Sequence, residues 1–146
     1  MDNRQVRQER SGWRDEALSR RHREWGWDLP CVDIDFLMIV YDRFIPKALI
    51  EYKHENCPQR KTDDPGFKAV RALSDLARLP FFAVRYKADL TNFCVSAIND
   101  PAIKYLSKRF HNDMTEREYV EFLYRIRGRK MPADLFDAAG KLKPAA

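Results

Sequence analysis

The chain has 146 residues, 45% of them hydrophobic and 34% charged, and 27 Lys and Arg against 22 Asp and Glu give a net charge of +5. This length and apolar content are enough to bury a core, which argues against disorder, and three cysteines without a Cys-x-x-Cys pair argue against a disulfide framework or zinc knuckle. No apolar run is long enough to span a bilayer. We expect one cytoplasmic domain over residues 1–146 without membrane contact, with flexible ends at 1–9 and 132–146.

The first predicted element is a helix from Arg10 to Trp25. Its apolar positions recur at helical spacing, and many of its polar positions are arginine. Such a segment can neutralise backbone phosphates, or it can simply be the solvated face of a helix. The candidates for nucleic-acid contact here are Arg20, Arg21, His22 and Arg23.

Two apolar runs, residues 32–41 and 47–53, predict an antiparallel hairpin. Both are rich in β-branched and aromatic residues, and the five-residue link between them is too short for a crossover helix. Alternate residues of a strand share a face. Asp33 and Asp35 therefore lie on the same face of the sheet as Glu51 and Lys53 only if the numbers of directly paired residues sum to an even value, such as 86 or 88. Either register gathers two acids and a lysine into one cluster.

Such a cluster has a chemical interpretation and a structural one. Converging carboxylates repel each other unless a cation lies between them, and their oxygens suit Mg²⁺ or Mn²⁺. A neighbouring lysine can hold a phosphate oxygen or stabilise charge that develops in a transition state. The combination is suited to metal-assisted phosphodiester hydrolysis. The alternative is a surface hairpin with cross-strand ion pairs, each worth less than about 1 kcal/mol.

The rest of the chain predicts helices and strands in alternation. Asp64 caps a helix whose first residue is Pro65, with a buried stripe at Phe67, Val70, Leu73 and Ala77. Strands are predicted at 81–86 and 93–98, a helix from Asn99 or Asp100 carrying Ile103 and Leu106, and a last helix from Thr115 to Gly128, with Thr115 and Glu118 as its capping box.

The hairpin sequence, VDIDFLMIVY followed by ALIEYK, resembles the motif of the PD-(D/E)XK nuclease superfamily. The resemblance implies that Asp35 and Glu51 ligate a metal together with the main-chain carbonyl of Tyr52, and that Lys53 is the catalytic cation. Asp33 is the alternative to Asp35, because no proline directly precedes either aspartate. Many members add a glutamate from the first helix, for which Glu16 and Glu24 are both available.

The resemblance also implies a fold and a function. The fold is an α/β restriction-endonuclease-like core, a central mixed sheet with an antiparallel motif hairpin, flanked by helices and extended by C-terminal helices. The function is a Mg²⁺- or Mn²⁺-dependent deoxyribonuclease of the small phage or bacterial type, with DNA as partner and a homodimer as one possible assembly. Apart from the resemblance, His54 in the polar loop after the hairpin is a further candidate for nucleic-acid contact. The alternatives are a non-catalytic nucleic-acid-binding module on the same fold and a protein-binding regulatory factor, for example a phage-encoded one.

Overall fold

A computed structural model of the chain describes residues 16–25, 34–57 and 64–144. The chain forms two compact units, Met1–Asp33 and Ile34–Ala146. The described part of the first unit is helix α1, Glu16–Trp25. It ends at the predicted residue, whereas the start predicted at Arg10 lies outside the described residues. Among the described residues, no helix combines the length and apolarity that a membrane crossing requires.

The second unit is an α/β structure built on one five-stranded mixed sheet, with strands in the order β1-β2-β3-β4-β5. Its elements are β1 (Phe36–Val40), β2 (Ile45–His54), α2 (Pro65–Leu76), β3 (Phe81–Tyr86), β4 (Phe93–Ala97), α3 (Asp100–Ile103), β5 (Asn112–Met114) and α4 (Glu116–Arg127). Strands β2 and β3 are parallel, and the other neighbouring strands are antiparallel. The predicted α/β class, with a mixed sheet flanked by helices, is confirmed.

The motif hairpin is formed by β1 and β2. Phe36 pairs with Ile50 and Leu37 with Leu49, so the residue numbers sum to 86, one of the two predicted registers. A bulge between Met38 and Ile39 then shifts the pairing by one residue toward the turn. Strand β1 is shorter than predicted, because residues 34 and 35 precede it and residues 41–44 form the turn.

Strand β2 contributes to two cores, one on each face of the sheet. Its even-numbered residues Ala48 and Ile50 pack with residues of α3 and α4, whereas Leu49 packs with residues of α2. The larger core contains Phe82, Val84, Phe93, Val95, Ala97, Ala102, Tyr119, Phe122 and Ile126. The smaller core contains Phe67, Val70, Phe81 and Ile98. We refer to the two sides as the α4 face and the α2 face.

Helix α2 begins as predicted, with the Asp64 carboxylate accepting a hydrogen bond from the backbone N–H of Phe67 at 3.1 Å. Its predicted buried stripe is partly wrong. Leu73 is 46% exposed and Ala77 is the exposed C-cap residue, whereas Ser74 is fully buried. Ser74 is buried in place of Leu73 because the Ser74 hydroxyl donates a hydrogen bond to the carbonyl of Arg71 and accepts one from the side chain of Asn99. These bonds allow a small polar residue to lie in the core.

Toward the C-terminus, helix α4 follows its prediction and the segment before it does not. The capping box of Thr115 and Glu118 is formed, and Gly128 ends the helix with a φ of 78°, which favours glycine. Helix α3 is only four residues long, so Leu106 follows it rather than lying within it. Strand β5 was not predicted, since a three-residue strand carries no usable apolar alternation.

Candidate functional site

Glu51 and Lys53 lie together on the α2 face, near the C-terminal end of β2. Glu51 is buried, with 6% of its surface exposed, and its Oε1 lies 3.8 Å from the Lys53 ammonium. The Lys53 side chain is 36% exposed, so its charge reaches solvent. The predicted placement of this pair on one face is therefore what the structure has, because residues two apart along a strand point the same way.

Asp35 is exposed and immediately precedes β1. Its Oδ2 accepts a hydrogen bond from the backbone N–H of Tyr52 at 3.2 Å. The carboxylate of Asp35 therefore lies against the peptide bond that joins Glu51 to Tyr52. The hairpin register continued by one residue places Asp35 opposite Glu51, at the edge of the α2 face. Asp33 lies outside the described residues.

The backbone and the side chain of Tyr52 lie in two different environments. Its phenol hydroxyl forms a short hydrogen bond with the hydroxyl of Tyr119 on the α4 face, and its ring makes edge-to-face contacts with Phe36 and Tyr86. Burial raises the pKa of the Tyr52 phenol, which stays protonated. The backbone N–H of Tyr52 points toward β1, and in a strand the carbonyl of the same residue points to the same side. The Tyr52 carbonyl is thus directed to the side where Asp35 lies.

A cavity of about 250 Å³ opens on the α2 face beside Glu51 and Lys53. Ala83 of β3 is the direct neighbour of Glu51, and Ser96 of β4 is the neighbour of Ala83. These short side chains leave the space that longer ones would fill. The remaining lining residues are Phe67, Val84, Arg85, Cys94, Ile98, Phe110 and His111.

Sequence reasoning missed Arg85, which pairs with Lys53 across β2 and β3. Its guanidinium donates hydrogen bonds to the main-chain carbonyls of Glu55 at 2.9 Å and Cys57 at 2.7 Å. Arg85 therefore holds the segment that directly follows β2. The signal was present in the sequence, since Lys53 and Arg85 each stand just before the last residue of a strand, but it becomes informative only when the two strands are known to be parallel neighbours.

Cys94 and His111 form a second pair on the wall of this cavity, with Sγ and Nδ1 3.9 Å apart. Burial, with the Asp113 carboxylate as the next cause, raises the pKa of the Cys94 thiol above its usual value. A thiol that stays protonated at neutral pH is a poor nucleophile. The Cys94 thiol is therefore a poor candidate for a nucleophile in this cavity.

The predicted nucleic-acid contacts divide between the two units. Arg21 is exposed on α1 and forms an ion pair with Glu24 at 3.4 Å, while the side chains of Arg20, His22, Arg23 and Glu16 lie outside the described residues. His54 is half-buried against the Tyr86 ring, and its Nδ1 accepts a hydrogen bond from the Asn56 N–H at 3.1 Å. A proposal about nucleic acid therefore depends on the second unit.

The oxygen groups on this stretch of β2 and beside it are the Glu51 carboxylate, the Asp35 carboxylate and the Tyr52 carbonyl. No cluster of three or more His, Cys, Asp or Glu side chains occurs within residues 16–25, 34–57 and 64–144. An all-side-chain metal cage is thus not part of the described structure. Comparison of the chain with family models, curated proteins and solved structures finds no match to any of the three.

Proposed function

We propose that this protein is a metal-dependent nuclease that hydrolyses phosphodiester bonds in DNA, with a restriction-endonuclease-like core. One observation carries the proposal. The hairpin register brings the Asp35 carboxylate onto the Tyr52 N–H. Alternation along β2 places Glu51 and Lys53 on one face of the sheet, with Oε1 and Nζ 3.8 Å apart. The two acids and the lysine that resemble the PD-(D/E)XK motif thus belong to one stretch of β2 and the residue beside it.

The order of the elements supports the same core. The antiparallel hairpin is followed by helix α2, which returns the chain so that β3 pairs in parallel with the strand that carries Glu51 and Lys53. The resemblance implies this plan of hairpin, helix and further strand. An initial strand near residues 27–31, which the plan would also contain, lies outside the described residues.

The donor set fits Mg²⁺ or Mn²⁺. The carboxylates of Asp35 and Glu51 and the carbonyl of Tyr52 would hold the ion, and Mg²⁺ commonly binds one or two carboxylates while it keeps several waters. When bound, the ion lowers the pKa of a water molecule and neutralises charge on the phosphate. Three oxygen donors without histidine or cysteine favour these hard cations over zinc.

The protein side chains have separable roles in this proposal. Glu51 is buried beside Lys53, so its carboxylate is held in place where a flexible surface acid would not be. The partly exposed ammonium of Lys53 supplies positive charge to a phosphate oxygen as negative charge develops there. The Tyr52 N–H orients the Asp35 carboxylate through the hydrogen bond described above.

The test is incubation of the full chain with plasmid, linear, single-stranded and branched DNA, with Mg²⁺, with Mn²⁺ and with a chelator. We expect metal-dependent cleavage by the wild type. Both Glu51→Ala and Lys53→Ala should lower the rate by about 100-fold or more, since a group that stabilises transition-state charge typically contributes on the order of 10²–10³. Lys53→Ala should still bind DNA.

Glu121→Ala is the matched control, because Glu121 is an exposed glutamate of α4 that pairs with Arg117. It should cleave like the wild type. Circular dichroism and thermal melting establish that Glu51→Ala, which alters a buried site, remains folded. Equal cleavage by folded Glu51→Ala and wild type, or no cleavage with either metal, would refute the nuclease.

A protein-binding regulatory factor is the second candidate, and the β1–β2 hairpin favours it. Phe36, Leu37, Tyr41, Phe44 and Ile45 are each at least 41% exposed. Exposed apolar side chains along an edge strand are a common feature of interaction sites. Such a factor would show no metal-dependent cleavage. The homodimer is a separate prediction, which light scattering would test.

A further inference from the structure

The cavity beside Glu51 and Lys53 has an apolar wall that phosphodiester hydrolysis does not require. Phe67, Ile98 and Phe110 contribute this wall, and Lys53 and Arg85 also line the cavity. At about 250 Å³ the cavity is smaller than the roughly 300–1,000 Å³ of pockets for whole drug-sized ligands. Its size therefore suits one ring system rather than a whole drug-sized ligand.

Phe110 stands at this cavity among cationic residues. Its ring is 50% exposed, the Arg109 guanidinium lies 5.3 Å from the ring centroid, and Lys108 is exposed nearby in the chain. An exposed aromatic ring between cations is the combination with which proteins bind single-stranded nucleic acid, since the ring stacks on a base and the cations bind phosphates.

The segment that carries Phe110 is fixed before any ligand arrives. The side chain of Asn112 is buried, donates hydrogen bonds to the carbonyls of Val95 and Lys108, and accepts from the Lys108 N–H. The Ala97 N–H donates to the carbonyl of Arg109 at 2.7 Å. A platform ordered in advance loses little conformational freedom when it binds.

A second groove shares one lining residue with the cavity. His111 lines both the cavity and a second, more polar groove of about 660 Å³, to which Lys104, Lys108 and Arg125 contribute. The groove also carries the carboxylates of Asp113 and Glu118, so its cations are partly balanced, and Lys108 is the cation of this groove nearest to Phe110 in the chain. An uncharged apolar ligand would have no use for the cations.

We propose that this cavity binds one unpaired base of a nucleic-acid strand, with Phe110 as its stacking partner and Lys108 and Arg109 as contacts for the adjoining phosphates. The preferred substrate is then single-stranded DNA or a frayed end rather than closed duplex. The inference rests on the proposed function for the identity of the ligand as nucleic acid.

The test is fluorescence anisotropy of a labelled 12-nucleotide DNA, either single-stranded or annealed into a duplex, titrated with the full chain. A chelator is present throughout, so that binding is measured without cleavage. The wild type should bind the single strand more tightly than the duplex. Phe110→Ala should weaken single-strand binding by about tenfold, the effect of losing one stacked base, and change duplex binding by less than about twofold. Phe110→Trp should restore single-strand binding.

Phe44→Ala is the matched control, because Phe44 is an 87% exposed phenylalanine in the β1–β2 turn and does not line the cavity. It should bind both oligonucleotides like the wild type. Lys108→Ala should reduce the dependence of log affinity on log salt concentration by about 0.7, the value for one phosphate contact to a single strand. Lys141→Ala, at an exposed lysine of the C-terminal tail, should leave that slope unchanged.

The inference is overturned if Phe110→Ala leaves single-strand binding unchanged, if it weakens both oligonucleotides equally, or if the wild type prefers the duplex. These outcomes are separate from those for the nuclease. Cleavage of closed duplex with no effect of Phe110→Ala would retain the nuclease and reject the base site. Phe110-dependent binding of single strands without metal-dependent cleavage would retain the base site and reject the nuclease.

Discussion

Glu51 is the only charged residue that is buried among the parts of the chain that the structure describes. Burial of a carboxylate is costly unless a partner offsets it, and the Lys53 ammonium lies 3.8 Å away. The sequence alone predicted that these two side chains share a face, because strand residues alternate strictly. It could not predict the burial of Glu51, because burial depends on how β3 and α2 pack around β2.

Asn99 is a buried residue whose side chain organises the end of the α2 face. Its Oδ1 accepts from the Phe81 N–H at 2.9 Å, and its Nδ2 donates to the Leu79 carbonyl at 2.8 Å. We predict that Asn99→Ala lowers the free energy of unfolding by about 2–3 kcal/mol, because it leaves a buried N–H without an acceptor. Urea denaturation followed by circular dichroism measures this loss.

Asn56→Ala is the comparison for Asn99→Ala. Asn56 is exposed in the turn after β2, where its backbone N–H donates a hydrogen bond to Nδ1 of His54. A surface substitution of this kind should change the free energy of unfolding by less than about 0.5 kcal/mol. Equal losses in the two variants would mean that the Asn99 hydrogen bonds contribute little.

At the scale of elements, local signals were the most successful part of the sequence prediction. The Asp64 cap, the capping box at Thr115 and the glycine after α4 each depend on residues within one turn, and all are present. The stripe of α2 failed at Leu73 because the choice between Leu73 and Ser74 depends on Asn99, which lies 25 residues from Ser74 along the chain. A contact of that kind leaves no periodic trace.

Thr115 and Glu118 form the N-terminal cap of α4 through two hydrogen bonds. The Thr115 hydroxyl accepts a hydrogen bond from the Glu118 N–H at 3.2 Å, and the Glu118 carboxylate accepts one from the Thr115 N–H at 3.0 Å. We predict that Thr115→Ala costs about 1 kcal/mol of unfolding free energy, the usual effect of losing an N-cap hydroxyl. Thr115→Ser keeps the hydroxyl and should remain within a few tenths of a kcal/mol of the wild type in the same urea titration.

The segment from residue 104 to residue 111 is the element that sequence reasoning missed most completely. It lies between α3 and β5 and has no regular secondary structure, so neither helical nor strand periodicity applies. Asn112 fixes it through hydrogen bonds to backbone groups of β4 and of the segment itself. Phe110 and His111 of this segment line the cavity with Glu51, a position that only the fold provides.

At the scale of the second unit, burial of the tyrosine pair couples stability to alkaline pH. Burial, with Tyr52 as the next cause, raises the pKa of Tyr119 above its ordinary 10.0. Unfolded Tyr119 therefore loses its proton above about pH 10 while the folded form keeps it, so stability is full below pH 10 and declines as pH rises, by about 1.4 kcal/mol per pH unit for one tyrosine.

We predict that Tyr119→Phe removes this contribution. Urea titrations at pH values from 9 to 11.5 should show a decline with pH that is shallower than in the wild type by about 1.4 kcal/mol per unit above pH 10. Tyr41→Phe, which changes an exposed ring in the hairpin turn, should keep the wild-type decline. Parallel curves for wild type and Tyr119→Phe would contradict the assignment of the proton to this phenol.

The bulge between Met38 and Ile39 has a practical consequence for experiments on the hairpin. Pairing on the two sides of the bulge differs by one residue, so an alteration of the turn at residues 41–44 can be accommodated there without moving Phe36 against Ile50. The turn is accordingly the place to attach a fluorophore or insert an epitope tag. A reporter there would follow the protein in solution while the spacing of its acidic groups stays that of the native chain.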